Sequence, residues 1–235
     1  MFATARRSRS PSYWRRIVGE MLQVPVLTLG HGTLSAEEFT ALAHVAGIRT
    51  VVDVRSFPGS RHNPQFKRDT MAQWLAEADL DYTWEPRLGG RRRGLGAQSR
   101  HIGLRHEAFR AYADWMETGE FAAGLADILA LAARTAEQAN ARQGVADQEP
   151  TDQSSSGPES PVGRTALMCS ETVWWRCHRR LITDHLVLVE QIQVRHLMHD
   201  GRLQEPRVTP EARVVDGVVV YDGGQEQLDL NATRR

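Results

Sequence analysis

Residues 24–53 read VPVLTLGHGTLSAEEFTALAHVAGIRTVVD and decide the fold. The apolar run 24–29 predicts a buried strand. Ser35 and Glu38 have the spacing of a capping box, so an amphipathic helix should begin there. Residues 50–54 predict a second strand. A strand, a helix and a strand within about 30 residues form a βαβ unit, whose two strands are parallel.

The rest of the chain continues this alternation of strands and helices. Helices are predicted at residues 69–79, 106–117, 120–138 and 176–190, and further strands at 82–85, 165–169 and 193–197. A terminal hairpin is predicted around Asp216-Gly217, because Asp-Gly favours a two-residue turn. The alternation predicts an α/β fold, a three-layer α/β/α sandwich around a mainly parallel sheet of about five strands.

Composition along the chain divides it into four parts. Residues 1–22 are rich in Arg and Ser and predict a flexible basic arm, whereas residues 23–200 hold the α/β domain. Within that domain, residues 140–163 have almost no large apolar side chains and predict a disordered insert, because such a segment buries too little surface to order itself. Residues 201–235 form a C-terminal extension with the hairpin.

The charge balance excludes several classes of protein. The 235 residues carry 29 basic and 29 acidic side chains, and Lys67 is the only lysine. A protein without net charge is not expected to cover nucleic acids non-specifically, but it can still bind an anion at a local site. A single lysine argues against Schiff-base chemistry and against a lysine-based phosphate loop. No apolar run is long enough to span a membrane and no secretory signal is apparent, so a cytoplasmic protein is expected.

The two cysteines, Cys169 and Cys177, lie eight residues apart. They are too few for a disulfide scaffold, and their spacing differs from that of a structural zinc site. We therefore expect reduced thiols, and neither a metal nor a cofactor.

Ligands of parallel α/β sheets bind beyond the carboxyl ends of the strands. Polar side chains and glycines that follow the predicted strands are therefore the candidate site residues. They are Gly30, His31, Asp53, Arg55, Ser56, Arg61, Arg87, Arg91, Arg92, Glu171, Arg176, Cys177, His178 and Arg179.

The arginines among them point to an anion pocket. Residues 86–105 contain six arginines and no acidic residue, and guanidinium groups bind phosphate or carboxylate through paired hydrogen bonds. A phosphorylated small molecule or a nucleic acid is the expected partner. The alternative is that these arginines form structural salt bridges with carboxylates elsewhere in the chain.

Four of the candidates could carry catalysis. Asp53 and Glu171 follow apolar strands and could act as general bases, with His31 as a proton carrier. Cys177 is predicted near a helix N-terminus beside Arg179, which favours the thiolate and suits a nucleophile. The alternatives are that Asp53 holds Arg55 and that Cys177 is a buried structural thiol.

Four blocks of sequence resemble a known family. They are TLGHGTLSAEEF at 28–39, VVDVRSFPGSRHNPQF at 51–66, LGGRRR at 88–93 and ALMCSETVWWRCHRRLITDHL at 166–186. Together they are similar to the domain-of-unknown-function 488 family. The resemblance covers about residues 24–200 and implies a small cytosolic α/β protein without an established reaction. Trp174-Trp175 departs from the polar residues that are commoner there, which could alter what the pocket accepts.

Three functional hypotheses follow from the sequence. The first is an enzyme, a hydrolase or transferase, acting on a nucleotide, a nucleic-acid component or another phosphorylated substrate. The second is a non-catalytic module that binds the same ligands with the same arginines. The third is a thiol-based redox or sulfur-handling protein built on the two cysteines.

Overall fold

The computed structural model describes residues 25–59, 62–146 and 163–223. Its strands are β1 (Val26–Gly30), β2 (Ile48–Asp53), β3 (Asp81–Trp84), β4 (Arg164–Cys169), β5 (Val194–Leu197), β6 (Leu203–Gln204), β7 (Ala212–Val215) and β8 (Val218–Tyr221). Its α-helices are α1 (Ala36–Val45), α2 (Arg68–Glu77), α3 (Glu107–Met116), α4 (Gly119–Ala146) and α5 (Arg179–Leu188). The predicted arm at 1–22 lies outside the described residues.

Six strands form one sheet in the order β3-β2-β4-β1-β5-β6. All neighbours in it are parallel except β6, which pairs antiparallel with β5. The two-residue strand β6 is an addition to the predicted set of about five. The predicted α/β sandwich with a mainly parallel sheet is confirmed.

The sheet separates two hydrophobic cores. Alternate residues of each central strand point to opposite faces, so Leu27 and Val51 pack with α1 and α2, whereas Val26 and Val52 pack with α3, α4 and α5. The connection after β1 therefore leaves towards one face and the connection after β4 towards the other. Such a divergence opens a crevice at the carboxyl ends of the two adjacent strands.

Local sequence signals explain where several elements begin and turn. The Ser35 hydroxyl accepts from the backbone N–H of Glu38, and the Glu38 carboxylate accepts from the N–H of Ser35, which completes the capping box of α1. At the hairpin of β7 and β8, Asp216 and Gly217 have φ angles of 50° and 81°. Positive values at both positions are those of a type I′ turn.

One helix boundary differs from that predicted from the sequence. Helix α4 continues to Ala146, so the first residues of the predicted insert are helical, while residues 147–162 lie outside the described part of the chain. The hairpin is packed into the domain, since Tyr221 is fully buried in the core of α3, α4 and α5. Among the residues that the structure describes, no helix combines the length and hydrophobicity needed to cross a membrane.

Candidate functional site

A small polar cavity lies at the carboxyl edge of the sheet. Its volume is about 300 Å³, and the loops after β1, β2 and β4 contribute to it. The lining consists of His31, Arg55, Ser56, Phe57, Gly59, Asn63, Gly90, Arg91 and Ser170. The structure thus brings together four of the residues predicted from sequence: His31, Arg55, Ser56 and Arg91.

Arg55 is held rigidly in the wall of this cavity by Asp53. The two oxygens of Asp53 accept from Nε (2.8 Å) and Nη2 (2.6 Å) of Arg55, and Oδ1 also accepts from its backbone N–H. The Tyr82 hydroxyl donates to Oδ2 at 2.8 Å, and Arg55 Nη2 donates to the Phe66 carbonyl. Asp53 is fully buried, so both of its oxygens are occupied within the protein.

His31 occupies the next position along the cavity wall. Its Nδ1 donates to the Gly32 carbonyl at 2.9 Å, so Nε2 carries the lone pair and accepts from Arg55 Nη1 at 3.2 Å. The ring is stacked on Phe66, with a centroid distance of 4.0 Å. Burial, and then the positive charge of Arg55, lower the pKa of His31 to about 4. His31 is therefore neutral near pH 7, and both of its nitrogens have partners.

The loop after β3 covers the other side of the cavity. The backbone N–H of Arg91 donates to the Ser56 hydroxyl at 3.1 Å. Gly89 lies so close to Ser56 that an added Cβ would stand 2.4 Å from its hydroxyl oxygen. The Arg91 side chain is exposed. Within the described residues it forms neither an ion pair nor a hydrogen bond, so Arg91 supplies an unneutralised positive charge at the cavity.

Other arginines of this loop are used as structural cross-links. Arg87 pairs with Glu85 and with Asp127, to which Nη2 donates at 2.6 Å. Arg92 donates to three backbone carbonyls of its own loop and lies over the Trp115 ring at 3.9 Å. These two predicted anion ligands thus have their guanidinium groups engaged by protein atoms.

The remaining candidates lie apart from the cavity wall. Arg176 and Glu171 are exposed and are not part of the cavity lining. An added Cβ at Gly30 would stand 1.8 Å from the Glu171 carbonyl oxygen and 2.7 Å from Arg179 Nη2, so Gly30 permits close packing there. Arg61 lies outside the described residues.

Below the cavity, the two cysteines are brought into contact. Cys169 ends β4, Cys177 lies two residues before α5, and their Sγ atoms are 2.7 Å apart. The Arg179 side chain is fully buried, and its Nε donates to Cys169 Sγ at 3.1 Å. The backbone N–H of Arg179 points to Cys177 Sγ at 3.5 Å. Two thiols and one guanidinium therefore form a buried group, which we call the thiol pair site.

His178 connects the thiol pair site with the cavity. Its Nε2 donates to the Val54 carbonyl at 3.0 Å, so Nδ1 carries the lone pair and lies 3.4 Å from Cys177 Sγ. The other side of the ring lies against Gly90, where an added Cβ would stand 2.5 Å from Nδ1. Burial lowers the pKa of His178. A neutral imidazole can therefore accept the proton of Cys177.

The two thiols have opposite acidities. Burial opposes ionisation of Cys177, but the hydrogen bond from Cys169 and the charge and backbone N–H of Arg179 outweigh it and lower its pKa to about 6. Burial, and then the hydrogen bond and charge of Cys177, raise the pKa of Cys169 well above its ordinary value. The pair thus shares one proton near neutral pH, with Cys177 as the thiolate.

Cys169, Cys177 and His178 are also the one group of three potential metal ligands among the described residues, with ligand atoms within 4.8 Å of one another. The guanidinium of Arg179 lies directly against Cys169 Sγ. A fixed positive charge at that distance opposes binding of a second cation. The arrangement therefore suits thiol chemistry better than metal binding.

Several residues of the site have no distinctive sequence signal. Tyr82 and Phe66 fix Asp53, Arg55 and His31 from other elements, and Ser170 lines the cavity. Ser170 does have a sequence signal, because it directly follows the predicted strand 165–169. Tyr82 does not, since its contact with Asp53 depends on the pairing of β3 with β2.

Comparison with known proteins finds a family match for part of the chain. The model of the domain of unknown function DUF488 matches residues 35–139. No curated protein and no solved structure matches the chain. The matched residues contain Asp53, Arg55 and Arg91 and end before the two cysteines. Residues 35–139 of the chain are therefore similar to the DUF488 domain, a family of unknown function.

Proposed function

We propose that the protein binds a small molecule carrying a phosphate or a comparable oxyanion in the cavity at the ends of β1, β2 and β4. The observation that carries this proposal is a polar cavity whose wall contains two positive charges, that of Arg55, which Asp53 holds in place, and that of Arg91. A cation held in place before binding loses little conformational entropy when it takes up its ligand. Arg91 adds a charge without an acidic partner in the described residues.

The size of the cavity favours a small ligand over a nucleic-acid strand. About 300 Å³ is at the lower end of the range for small-molecule sites. A nucleic-acid strand would need a basic surface that continues along the loop after β3. Two arginines of that loop, Arg87 and Arg100, are instead paired with acidic residues. A phosphorylated metabolite of the size of a sugar phosphate fits these features.

The contacts favour binding without turnover. Both oxygens of Asp53 are held by Arg55 and Tyr82. Both nitrogens of His31 are engaged by Gly32 and Arg55. A general base needs an atom within reach of the proton that it removes, and neither side chain offers one to the cavity. Asp53 and His31 thus act as positioning residues for Arg55.

The test is a thermal-shift and calorimetry series at low salt with inorganic phosphate, ribose 5-phosphate and AMP. We expect at least one of these probes to raise the melting temperature, because a ligand of the native state stabilises it. Replacing Arg91 by Ala should weaken binding about tenfold, the effect of losing one hydrogen-bonded charge contact. Arg93→Ala is the matched control, because Arg93 is an exposed arginine of the same loop outside the cavity lining.

Three results would count against the proposal. One is that none of the probes shifts the melting temperature. Another is that Arg91→Ala and Arg93→Ala weaken binding equally, as expected for attraction to net charge alone. Release of inorganic phosphate from ribose 5-phosphate or AMP would show turnover and favour the enzyme hypothesis.

A further inference from the structure

The thiol pair site has a geometry that phosphate binding does not require. The Sγ atoms of Cys169 and Cys177 are 2.7 Å apart, closer than non-bonded sulfur atoms pack and about 0.7 Å longer than a disulfide bond. The two residues come from different elements, the end of β4 and the turn before α5. Bond formation between them therefore needs only a small movement of side chains that already face each other.

The surroundings of the pair distinguish its two members. Cys177 lies at the N-terminal end of α5, receives the backbone N–H of Arg179 and has the lone pair of His178 Nδ1 at 3.4 Å. Cys169 lies at the end of a central strand and contacts the guanidinium of Arg179 through Sγ. A helix N-terminus and an adjacent cation favour a thiolate, and the neutral imidazole can take the proton. Cys177 thus has the environment of an attacking thiol and Cys169 that of a resolving thiol.

We propose that Cys169 and Cys177 form a redox-active pair, which hydrogen peroxide or a comparably small hydroperoxide oxidises to an intramolecular disulfide and which a small thiol of the size of dithiothreitol reduces again. This activity is independent of the proposed anion binding. It assigns a function to a buried guanidinium and two buried thiols that the cavity does not use.

The reaction balances in two steps. The Cys177 thiolate attacks one peroxide oxygen, the O–O bond breaks, and Cys177 becomes a sulfenic acid while hydroxide leaves and is protonated to water. The sulfur of Cys169 then attacks Cys177 Sγ, the S–O bond breaks, and the second oxygen leaves as water with the proton of Cys169. In sum, two thiols and one peroxide give one disulfide and two waters. Reduction by two equivalents of an external thiol reverses the oxidation.

Burial selects the oxidant. Cys169 is 2% exposed and Cys177 is 3% exposed. Thiol–disulfide exchange needs a disulfide sulfur to approach the attacking thiolate directly, and the covering residues leave no room for a tripeptide disulfide. A peroxide is little larger than water and can reach the pair during local fluctuations. The site is therefore selective for small peroxides over glutathione disulfide.

The test uses the full-length protein, whose two cysteines are its only thiols. After treatment with a small excess of hydrogen peroxide, the intact mass should fall by two hydrogen atoms and the count of thiols that iodoacetamide labels after denaturation should fall from two to zero. Dithiothreitol should restore both. Oxidation by glutathione disulfide at the same concentration should be slower by at least about tenfold.

Single variants identify the attacking thiol. In Cys169→Ser, peroxide should convert Cys177 to a sulfenic acid that dimedone traps. In Cys177→Ser, Cys169 should remain unreacted under the same conditions, because burial still opposes its ionisation and the lone pair of His178 faces position 177. The measurements on the unmodified protein do not depend on whether either variant folds.

Four results would overturn the proposal. The first is that both thiols survive peroxide treatment. The second is formation of disulfide-linked dimers without an intramolecular bond. The third is oxidation by glutathione disulfide as fast as by peroxide. The fourth is dimedone trapping on Cys169 in Cys177→Ser but not on Cys177 in Cys169→Ser.

Discussion

Replacement of Asp53 by Asn tests whether this carboxylate positions Arg55 or acts as a catalytic base. Asp53 is fully buried and accepts four hydrogen bonds, three from Arg55 and one from Tyr82. An Asn keeps one acceptor oxygen. Its amide N–H groups would face Arg55 Nη2 and the Tyr82 hydroxyl, which are themselves donors, so these hydrogen bonds would be lost. The substitution also removes the countercharge of a guanidinium whose side chain is only 7% exposed.

The expected decrease in stability follows from the loss of this ion pair. Removing one partner of a buried ion pair costs about 3–5 kcal/mol, and Arg55 keeps its contacts with Phe66 and His31. We therefore expect the lower figure, a fall of about 3 kcal/mol in the free energy of unfolding. For a domain of this size, that corresponds to a melting temperature about 6–12 °C lower. Urea unfolding followed by circular dichroism, analysed by linear extrapolation, measures the change.

The matched control is Asp127→Asn. Asp127 also binds an arginine, but its side chain is 69% exposed and Arg87 retains Glu85. Exposed pairs contribute about 0–1 kcal/mol, so this variant should unfold within about 1 kcal/mol of the parent protein. The reasoning is refuted if Asp53→Asn is as stable as Asp127→Asn. Retained stability with loss of a turnover measured in the parent would make Asp53 a catalytic base.

Three further perturbations test the fold around the site. Ser35→Ala removes the cap of α1 and should lower the free energy of unfolding, measured with urea, by about 1 kcal/mol. An unchanged urea midpoint would contradict this prediction. Gly90→Ala places a Cβ 2.5 Å from His178 Nδ1 and should lower stability by about 1–3 kcal/mol; an equally stable variant would mean that the loop is not packed on His178. Burial, and then the charge of Arg179, lower the pKa of His196 to about 3, whereas the unfolded chain takes up that proton near pH 6.5. Stability is therefore lost as pH falls from about 6.5 towards 3, by about 2 kcal/mol from this residue at pH 5. His196→Gln should reduce the loss of stability at pH 5 by that amount. An unchanged dependence of stability on pH would refute the role assigned to His196.

The parts of the fold that depend on local patterns could be predicted. The capping box at Ser35, the apolar periodicity of the helices and the Asp216-Gly217 turn are all determined by neighbouring residues. Apart from the end of α4, each element lies within a few residues of its predicted position. The clustering of His31, Arg55 and Ser56 also follows from topology, because parallel strands end at the same edge of the sheet. Helix α4 was predicted too short, because residues 139–146 have almost no large apolar side chains and so offer no apolar stripe to mark their helical conformation.

What could not be predicted depends on contacts between distant parts of the chain. The acidic partners of the arginine-rich loop, Asp127 and Glu117, lie on or beside helices whose position over the loop is set by tertiary packing. Arg92 is satisfied by backbone carbonyls, which have no sequence signature. The inward direction of Arg179 at the start of α5 likewise depends on how that helix docks on the sheet.

The structure changes what the excess of arginine over lysine means for this protein. Arg92 donates to several carbonyls at once, and Arg55 binds one carboxylate through two nitrogens. Arg179 is fully buried and contacts a thiol, a hydroxyl and a carbonyl. An ammonium group is a compact point charge that cannot span such sets of acceptors. These arginines join loops at the carboxyl edge of the sheet, where no regular backbone ladder is available. The same rigidity holds Arg55 in the wall of the cavity and Arg179 against the thiols, so the scaffold and both proposed sites share one kind of side chain.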